Sequence, residues 1–193
     1  MAMTRRLATL FVDIAGSARL LVHHPPETVL GVVRCFMDLV SDVALAHHGH
    51  VKDFEGDGVL LYFESTREAT GAALAIRASL GHAGCDTGCE GGPAAAARMS
   101  ITVGDVAVGT VGPPAAPGLA LVGPSVSVGS RLLKVLPPGG IVVSEDVVAA
   151  LRAEAPALAG MFQLVDAAYE VPGAGGLTVG VYALTAPATA SAA

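Results

Sequence analysis

His50-Val-Lys-Asp-Phe-Glu-Gly-Asp-Gly-Val-Leu-Leu-Tyr-Phe63 decides the fold. Two short apolar runs, His50–Phe54 and Val59–Phe63, flank Glu55-Gly-Asp-Gly58, and Asp-Gly between apolar runs predicts a β-hairpin. Upstream, from Pro26 to His47, apolar residues recur as Val29, Val33, Phe36, Val40 and Val43. That three-and-four spacing predicts an amphipathic helix of about six turns, opened by Pro25 and Pro26 and stopped at Gly49. Further back, Arg6-Leu-Ala-Thr-Leu-Phe-Val-Asp-Ile14 reads as a buried strand ending in the tight turn Ala15-Gly16-Ser17.

Downstream of the hairpin, Ser65 to Leu80 carries Ala69, Ala72, Ala73, Ile76 and Leu80 on one helical face. Arg98–Val103 and Asp105–Gly109 then alternate as strands do. The order strand, helix, strand, strand, helix, strand is that of a ferredoxin-like βαββαβ core in an α+β domain. C-terminal α/β additions follow: a helix at Ser125–Val135, a strand at Gly140–Ser144, a helix at Glu145–Ala153, and strands at Phe162–Val165 and Leu177–Leu184. One domain over 1–184 and a disordered tail at 185–193 are expected, the tail being Ala, Thr, Ser and Pro without periodicity.

Composition narrows the function classes. The chain has 193 residues, 52% of them hydrophobic, enough for a full core. A net charge of −6 gives no attraction for nucleic acid or an anionic membrane. The apolar run after the basic Met1–Arg6 segment stops at Asp13, too soon for a signal-peptide core, and no stretch reaches the 18 or so apolar residues of a membrane span. A cytoplasmic protein is expected. Cys85 and Cys89 sit in a Gly-rich loop and read as reduced thiols. His47, His48 and His50 cluster at a helix end, where histidine favours the negative pole of the dipole, and without a fixed fourth ligand they do not read as a metal site.

Two carboxylates interrupt apolar strands at their ends, Asp13 and Asp57. In a ferredoxin-like sheet the first strand and the hairpin lie side by side, so these side chains can meet. Paired acids repel unless a cation sits between them, which points to divalent metal and phosphoryl transfer. Ala15-Gly16-Ser17 follows directly, and its backbone N–H groups are placed to bind phosphate oxygens. Arg131, in a helix with apolar neighbours, is a candidate for stabilising charge in that chemistry.

Phe11-Val-Asp-Ile-Ala-Gly-Ser17, Gly56-Asp-Gly-Val-Leu-Leu-Tyr-Phe63, Arg98-Met-Ser-Ile-Thr-Val-Gly-Asp-Val-Ala-Val-Gly109, Val122-Gly-Pro-Ser-Val-Ser-Val-Gly-Ser-Arg-Leu132 and Pro138-Gly-Gly-Ile-Val-Val-Ser144 resemble, in order, the motif series of class III adenylyl and guanylyl cyclases. The resemblance spans about Leu7 to Leu184. It implies conversion of a nucleoside triphosphate to a 3′,5′-cyclic monophosphate and pyrophosphate for cyclic-nucleotide signalling. It also implies two Mg²⁺ or Mn²⁺ ions on Asp13, Asp57 and the Ile14 carbonyl, and a head-to-tail homodimer in which Arg131 acts on the opposite subunit's site.

The base-reading positions depart from the family. Four residues before Asp57, where adenylyl cyclases resemble one another in a Lys, stands Asp53; the second base-reading position falls on Ala120 and the ribose Asn on Ser127. No Lys occurs after Lys134, where the family carries a phosphate-binding one. Strand alternation predicts that Lys52 points away from Asp53. Asp53 accepts but does not donate, so with Ala120 it favours guanine or a pyrimidine over adenine, ATP remaining an option. The alternative is a catalytically silent nucleotide-binding or regulatory module.

Overall fold

The computed structural model describes residues 3–82, 96–135 and 139–184. The cysteine pair at 85 and 89 and the tail at 185–193 lie outside the described residues. In chain order the elements are β1 (Met3–Ala15), α1 (Ser17–His23), α2 (Pro26–Ala46), β2 (His50–Glu55), β3 (Gly58–Phe63), α3 (Thr66–His82) and β4 (Ala96–Val111). Then come β5 (Gly118–Val122), α4 (Pro124–Leu132), β6 (Ile141–Ser144), α5 (Glu145–Glu154), α6 (Pro156–Ala159), β7 (Phe162–Glu170) and β8 (Thr178–Leu184). The sheet order is β2-β3-β1-β4-β6-β8-β7, with β5 paired to β4. Its first four strands have the order and antiparallel pairing of the ferredoxin-like core, as the sequence predicts.

Side chains alternate across β1, and the alternation sorts function from packing. Leu10, Val12 and Ile14 face the helices and join Leu61 and Phe63 of β3, Met99 and Ile101 of β4, Phe36 and Val40 of α2 and Ile76 of α3 in one core. All of these are at most 1% exposed. Burial of each large side chain is worth about 1.5–3 kcal/mol, which makes this face the main source of stability. Thr9, Phe11 and Asp13 face the other side, where α4 lies. There Ser100 Oγ donates to the Gly129 carbonyl (2.7 Å) and Thr102 Oγ1 to the Ser125 carbonyl (2.9 Å). Gly129 is needed at this crossing: a Cβ would stand 2.8 Å from the Phe11 ring.

Several boundaries differ from the sequence reading. β4 is one continuous 16-residue strand, not two, and β1 pairs with it from Met3↔Val108 to Ala15↔Ala96. Cross-strand pairing along the whole of β1 carries the ladder through Gly104, which alone reads as a break. β5 follows the proline-rich connection and returns on β4 through Val111↔Gly118; its exposed, non-alternating burial explains why no strand pattern shows. α1 buries no residue and so lacks an amphipathic signature. Among the described residues no helix is long and apolar enough to cross a membrane.

Candidate active site

On the α4 side of the sheet, the end of β1 meets the β2–β3 turn. Asp13 lies opposite Gly58 on β3 and opposite Arg98 on β4. The Ile14 N–H donates to the Asp57 carbonyl (3.2 Å), which fixes the turn against β1. The Asp57 carboxyl lies close enough to Asp13 to act on its charge, and Arg98 Nη2 donates to Asp13 Oδ2 at 3.0 Å. Burial holds the Asp13 carboxyl above the usual carboxylate range, the Asp57 charge adds to this, and Arg98 offsets part of it. This is a site short of positive charge. Arg98 was not singled out from sequence, although its place at the start of a strand antiparallel to β1 is a signal that could have found it.

Asp13 lines a cavity of about 200 Å³ together with Phe11, Glu55, Leu60 and Ser130. Those last four also line a neighbouring cavity of about 470 Å³, whose further walls include Lys52, Ala120, Ser127 and Arg131. The two cavities are therefore contiguous along the open face. Ala120 enters from β5, opposite Gly109. Ser127 and Arg131 sit one turn apart on α4: Arg131 Nη1 donates to both Ser127 O and Oγ at 2.7 Å, and Nε to the Pro172 carbonyl at 2.7 Å. Ala15-Gly16-Ser17 forms the corner between β1 and α1. Gly16, with φ 78°, caps the helix, and Ser17 is its first residue and not its cap.

The hairpin corrects the reading of Lys52 and Asp53. Pairing runs Glu55↔Gly58, Phe54↔Val59, Asp53↔Leu60, then jumps to Val51↔Leu61 and His50↔Tyr62. Lys52 is the extra residue of a β-bulge. In a regular strand Lys52 would oppose Leu61, which is fully buried, and an ammonium there would be desolvated without a partner. The bulge instead gives Val51 to the core, stacks His50 on Tyr62 with ring centroids 4.9 Å apart, and turns Lys52 to the cavity side. There Lys52 Nζ donates to Asp53 Oδ2 at 3.1 Å. The Lys52 side chain is 17% exposed and Asp53 56%, so the lysine, not the aspartate, forms the cavity wall. Lys52 and the Phe54 N–H hold the Asp53 carboxyl below its ordinary range.

The three histidines diverge. His50 stacks on Tyr62, His47 Nδ1 lies 3.6 Å from Glu68 Oε2, and His48 takes the left-handed conformation that ends α2 (φ 59°). Among the described residues no group of three or more His, Cys, Asp or Glu side chains converges as a metal cage. Asp13 and Asp57 are two hard oxygen donors. That number suits Mg²⁺ or Mn²⁺, which take one or two carboxylates and complete their sphere with water and phosphate oxygens.

No protein-family model matches the chain. An uncharacterized protein of Mycobacterium tuberculosis is 30% identical over 159 residues, 78% of this chain and 28% of that protein. Adenylate cyclase 1 of Rhizobium meliloti is 30% identical over 138 residues, 68% of this chain and 21% of that protein. The chain thus spans roughly a quarter of the length of these relatives. Among solved structures, an adenylyl cyclase from P. aeruginosa superposes with TM-score 0.81 at 20% identity, covering 97% of each chain. The guanylate cyclase domain of a Catenaria anguillulae protein, solved in complex with GTP, gives 0.80 at 20% identity over 96% of this chain and 99% of that one.

Proposed function

We propose, from the class III nucleotide cyclase fold that this chain has, that it converts a nucleoside triphosphate to the 3′,5′-cyclic monophosphate and pyrophosphate. The observation that carries the reading is that β1 and the β2–β3 turn bring the Asp13 and Asp57 carboxyls together on the same open face that presents Lys52, Ala120, Ser127 and Arg131. Arg98 offsets only part of the charge of the carboxyl pair, and the larger cavity offers cations and hydroxyls.

Divalent cations held by Asp13 and Asp57, with the Ile14 carbonyl assisting, would supply Lewis acidity toward the ribose 3′-hydroxyl and the phosphates. In the reaction the 3′-hydroxyl gives up its proton to solvent and its oxygen bonds to the α-phosphorus, while the bond from that phosphorus to the α,β-bridging oxygen breaks and pyrophosphate leaves. Arg98 holds the Asp13 carboxylate in place through its 3.0 Å hydrogen bond. The N–H groups of the Ala15-Gly16-Ser17 corner bind phosphate oxygens, and Arg131 stabilises the charge that builds on them. Ser127 positions Arg131 and the ribose. Exposed Val111 and Val122 line the larger cavity, an apolar surface that supports a head-to-tail homodimer. In it Lys52, Ser127 and Arg131 of one subunit serve the carboxylates of the other.

Base preference follows Lys52 more than Asp53. The lysine donates to an acceptor, adenine N1 or guanine O6, while Asp53 behind it accepts an exocyclic or ring N–H. The objection to adenine, that it would face an acceptor alone, lapses, and a purine triphosphate is the favoured substrate. The experiment is incubation of the purified chain with ATP, GTP, CTP and UTP separately, with Mn²⁺ or Mg²⁺, and mass spectrometry of the products. A cyclic purine monophosphate is expected, and a cyclic pyrimidine product alone would refute the role given to Lys52.

One observation favours a second reading, a nucleotide-binding module without turnover. Arg98 already compensates part of the Asp13 charge, so the carboxyl pair is tolerated without chemistry. Metal-dependent nucleotide binding with no pyrophosphate release from any substrate is the result that would select it.

A further inference from the structure

A third cavity, of about 280 Å³, opens on the other flank of α4. Two helices begin there. Ser144, the N-cap of α5, makes no capping hydrogen bond, and Ser125 stands in the first turn of α4, whose N-cap Gly123 provides no side-chain cap either. Both hydroxyls are buried without a hydrogen-bond partner, and both line the cavity. Ser144 is only 4% exposed. An N-cap serine ordinarily turns its oxygen onto the N–H of the second or third helical residue. Here it does not, so the first-turn N–H groups of α5 and the hydroxyl itself both lack that satisfaction. A buried unpaired hydroxyl is destabilising, and the two together are unmet demand for one acceptor group.

The remaining walls define what else that ligand carries. Asp105 and Asp146, both exposed, line the mouth, while Val103 and Val128, both buried, and Val179 form an apolar wall. Positive helix ends and hydroxyls inside with carboxylates outside fit a dipolar molecule and reject a simple anion. At about 280 Å³ this cavity is smaller than the 470 Å³ one on the carboxylate side of α4, which favours a small ligand.

The geometry points to a binding site for a small aliphatic α-amino acid. Its carboxylate accepts from the Ser125 and Ser144 hydroxyls and the α5 first turn, its ammonium donates to Asp105 and Asp146, and its side chain packs on Val103, Val128 and Val179. The test is calorimetric titration of the full chain, without nucleotide or metal, using L-leucine and L-valine. Isovalerate, which lacks the ammonium, and isoamylamine, which lacks the carboxylate, serve as controls.

Saturable binding of one amino acid per chain is expected at up to millimolar concentration, with each control at least about tenfold weaker. Ser144→Ala should weaken binding about tenfold, the loss of a hydrogen bond to a charged group, and leave the ligand-free protein as stable or more so. Asp105→Asn with Asp146→Asn should weaken the amino acid and leave isovalerate unchanged. Absence of saturable binding, isovalerate binding as tightly as leucine, or Ser144→Ala unfolding the ligand-free protein would each overturn the site. Because binding is read without nucleotide, none of these results depends on the cyclase reading.

Discussion

The two faces of the sheet obey different rules. On the helix-covered face every second residue from Ala8 to Ile14 of β1, from Val59 to Phe63 of β3 and from Ala97 to Val103 of β4 is apolar and buried in one continuous core. Position there follows from periodicity alone. On the face toward α4 the same strands present Asp13, Arg98, Thr102 and Ser100, whose partners lie 85 residues away for Asp13 and Arg98 and 29 for Ser100 and Gly129. Position there depends on register, and in β2 that register turns on a single inserted residue. A fold can be read from its covered face while its chemistry sits on the face that is harder to read.

The contrast can be broken most forcefully at the carboxyl pair. Asp57→Ala should lower product formation by more than about 10³-fold with an unchanged circular dichroism spectrum. Mixed with Arg131→Ala it should recover part of the activity if sites are shared between subunits. On the covered face, Phe36→Ala should cost about 3–5 kcal/mol of unfolding free energy, measured in urea, while the protein that remains folded keeps its specific activity. If Phe36→Ala reduced activity per folded molecule, the two faces would not be separable.

A sharper comparison lies within β2. Lys52→Ala should lower kcat/KM by about 10- to 100-fold, in line with a lost charge-assisted hydrogen bond, and Asp53→Ala by less. Deleting Lys52 outright leaves Val51↔Leu61 and Asp53↔Leu60 able to pair as in a regular strand. The deletion variant should therefore fold with near-normal stability and show the same kinetic loss. A deletion that unfolds the chain would mean the bulge serves the fold and not the cavity.

The smallest effect concerns Asp13. Its folded-state pKa is raised, so between 3.8, the ordinary value, and that higher value the folded state binds more protons than the unfolded one. Stability then falls as pH rises through this window and stays lower above it. Asp13→Asn should thus be modestly more stable than the parent at neutral pH in EDTA, with the gain vanishing below the ordinary value. Thermal melts across pH check both arms, and an equal gain at acid pH would remove the electrostatic explanation.

Much of the fold was legible. The hairpin, α2 and α3 follow from Asp57-Gly58 and from three-and-four apolar spacing, and the contact of Asp13 with Asp57 follows once β1 and β3 are neighbours. What stayed hidden has physical reasons. β5 is exposed and follows prolines, so it has no alternation to detect. Lys52 was assigned to the wrong face because a bulge is a tertiary solution: only the need to bury Val51 against Leu61 reveals it. Arg98 needed the full β1–β4 register. The orphaned hydroxyls of Ser125 and Ser144 have no sequence signature at all.

The bulge also bears on how such a chain can evolve. A regular strand offers one side chain per paired position, so changing it exchanges one recognition group for another in a single step, through an intermediate that recognises nothing well. An extra residue offers two side chains at one place. One can be retained while the other drifts, and substrate preference can move gradually without a passage through loss of function. Insertions of this kind lengthen the list of sequences compatible with one scaffold, and they make residue counting from Asp57 an unsafe guide to which base a descendant will read.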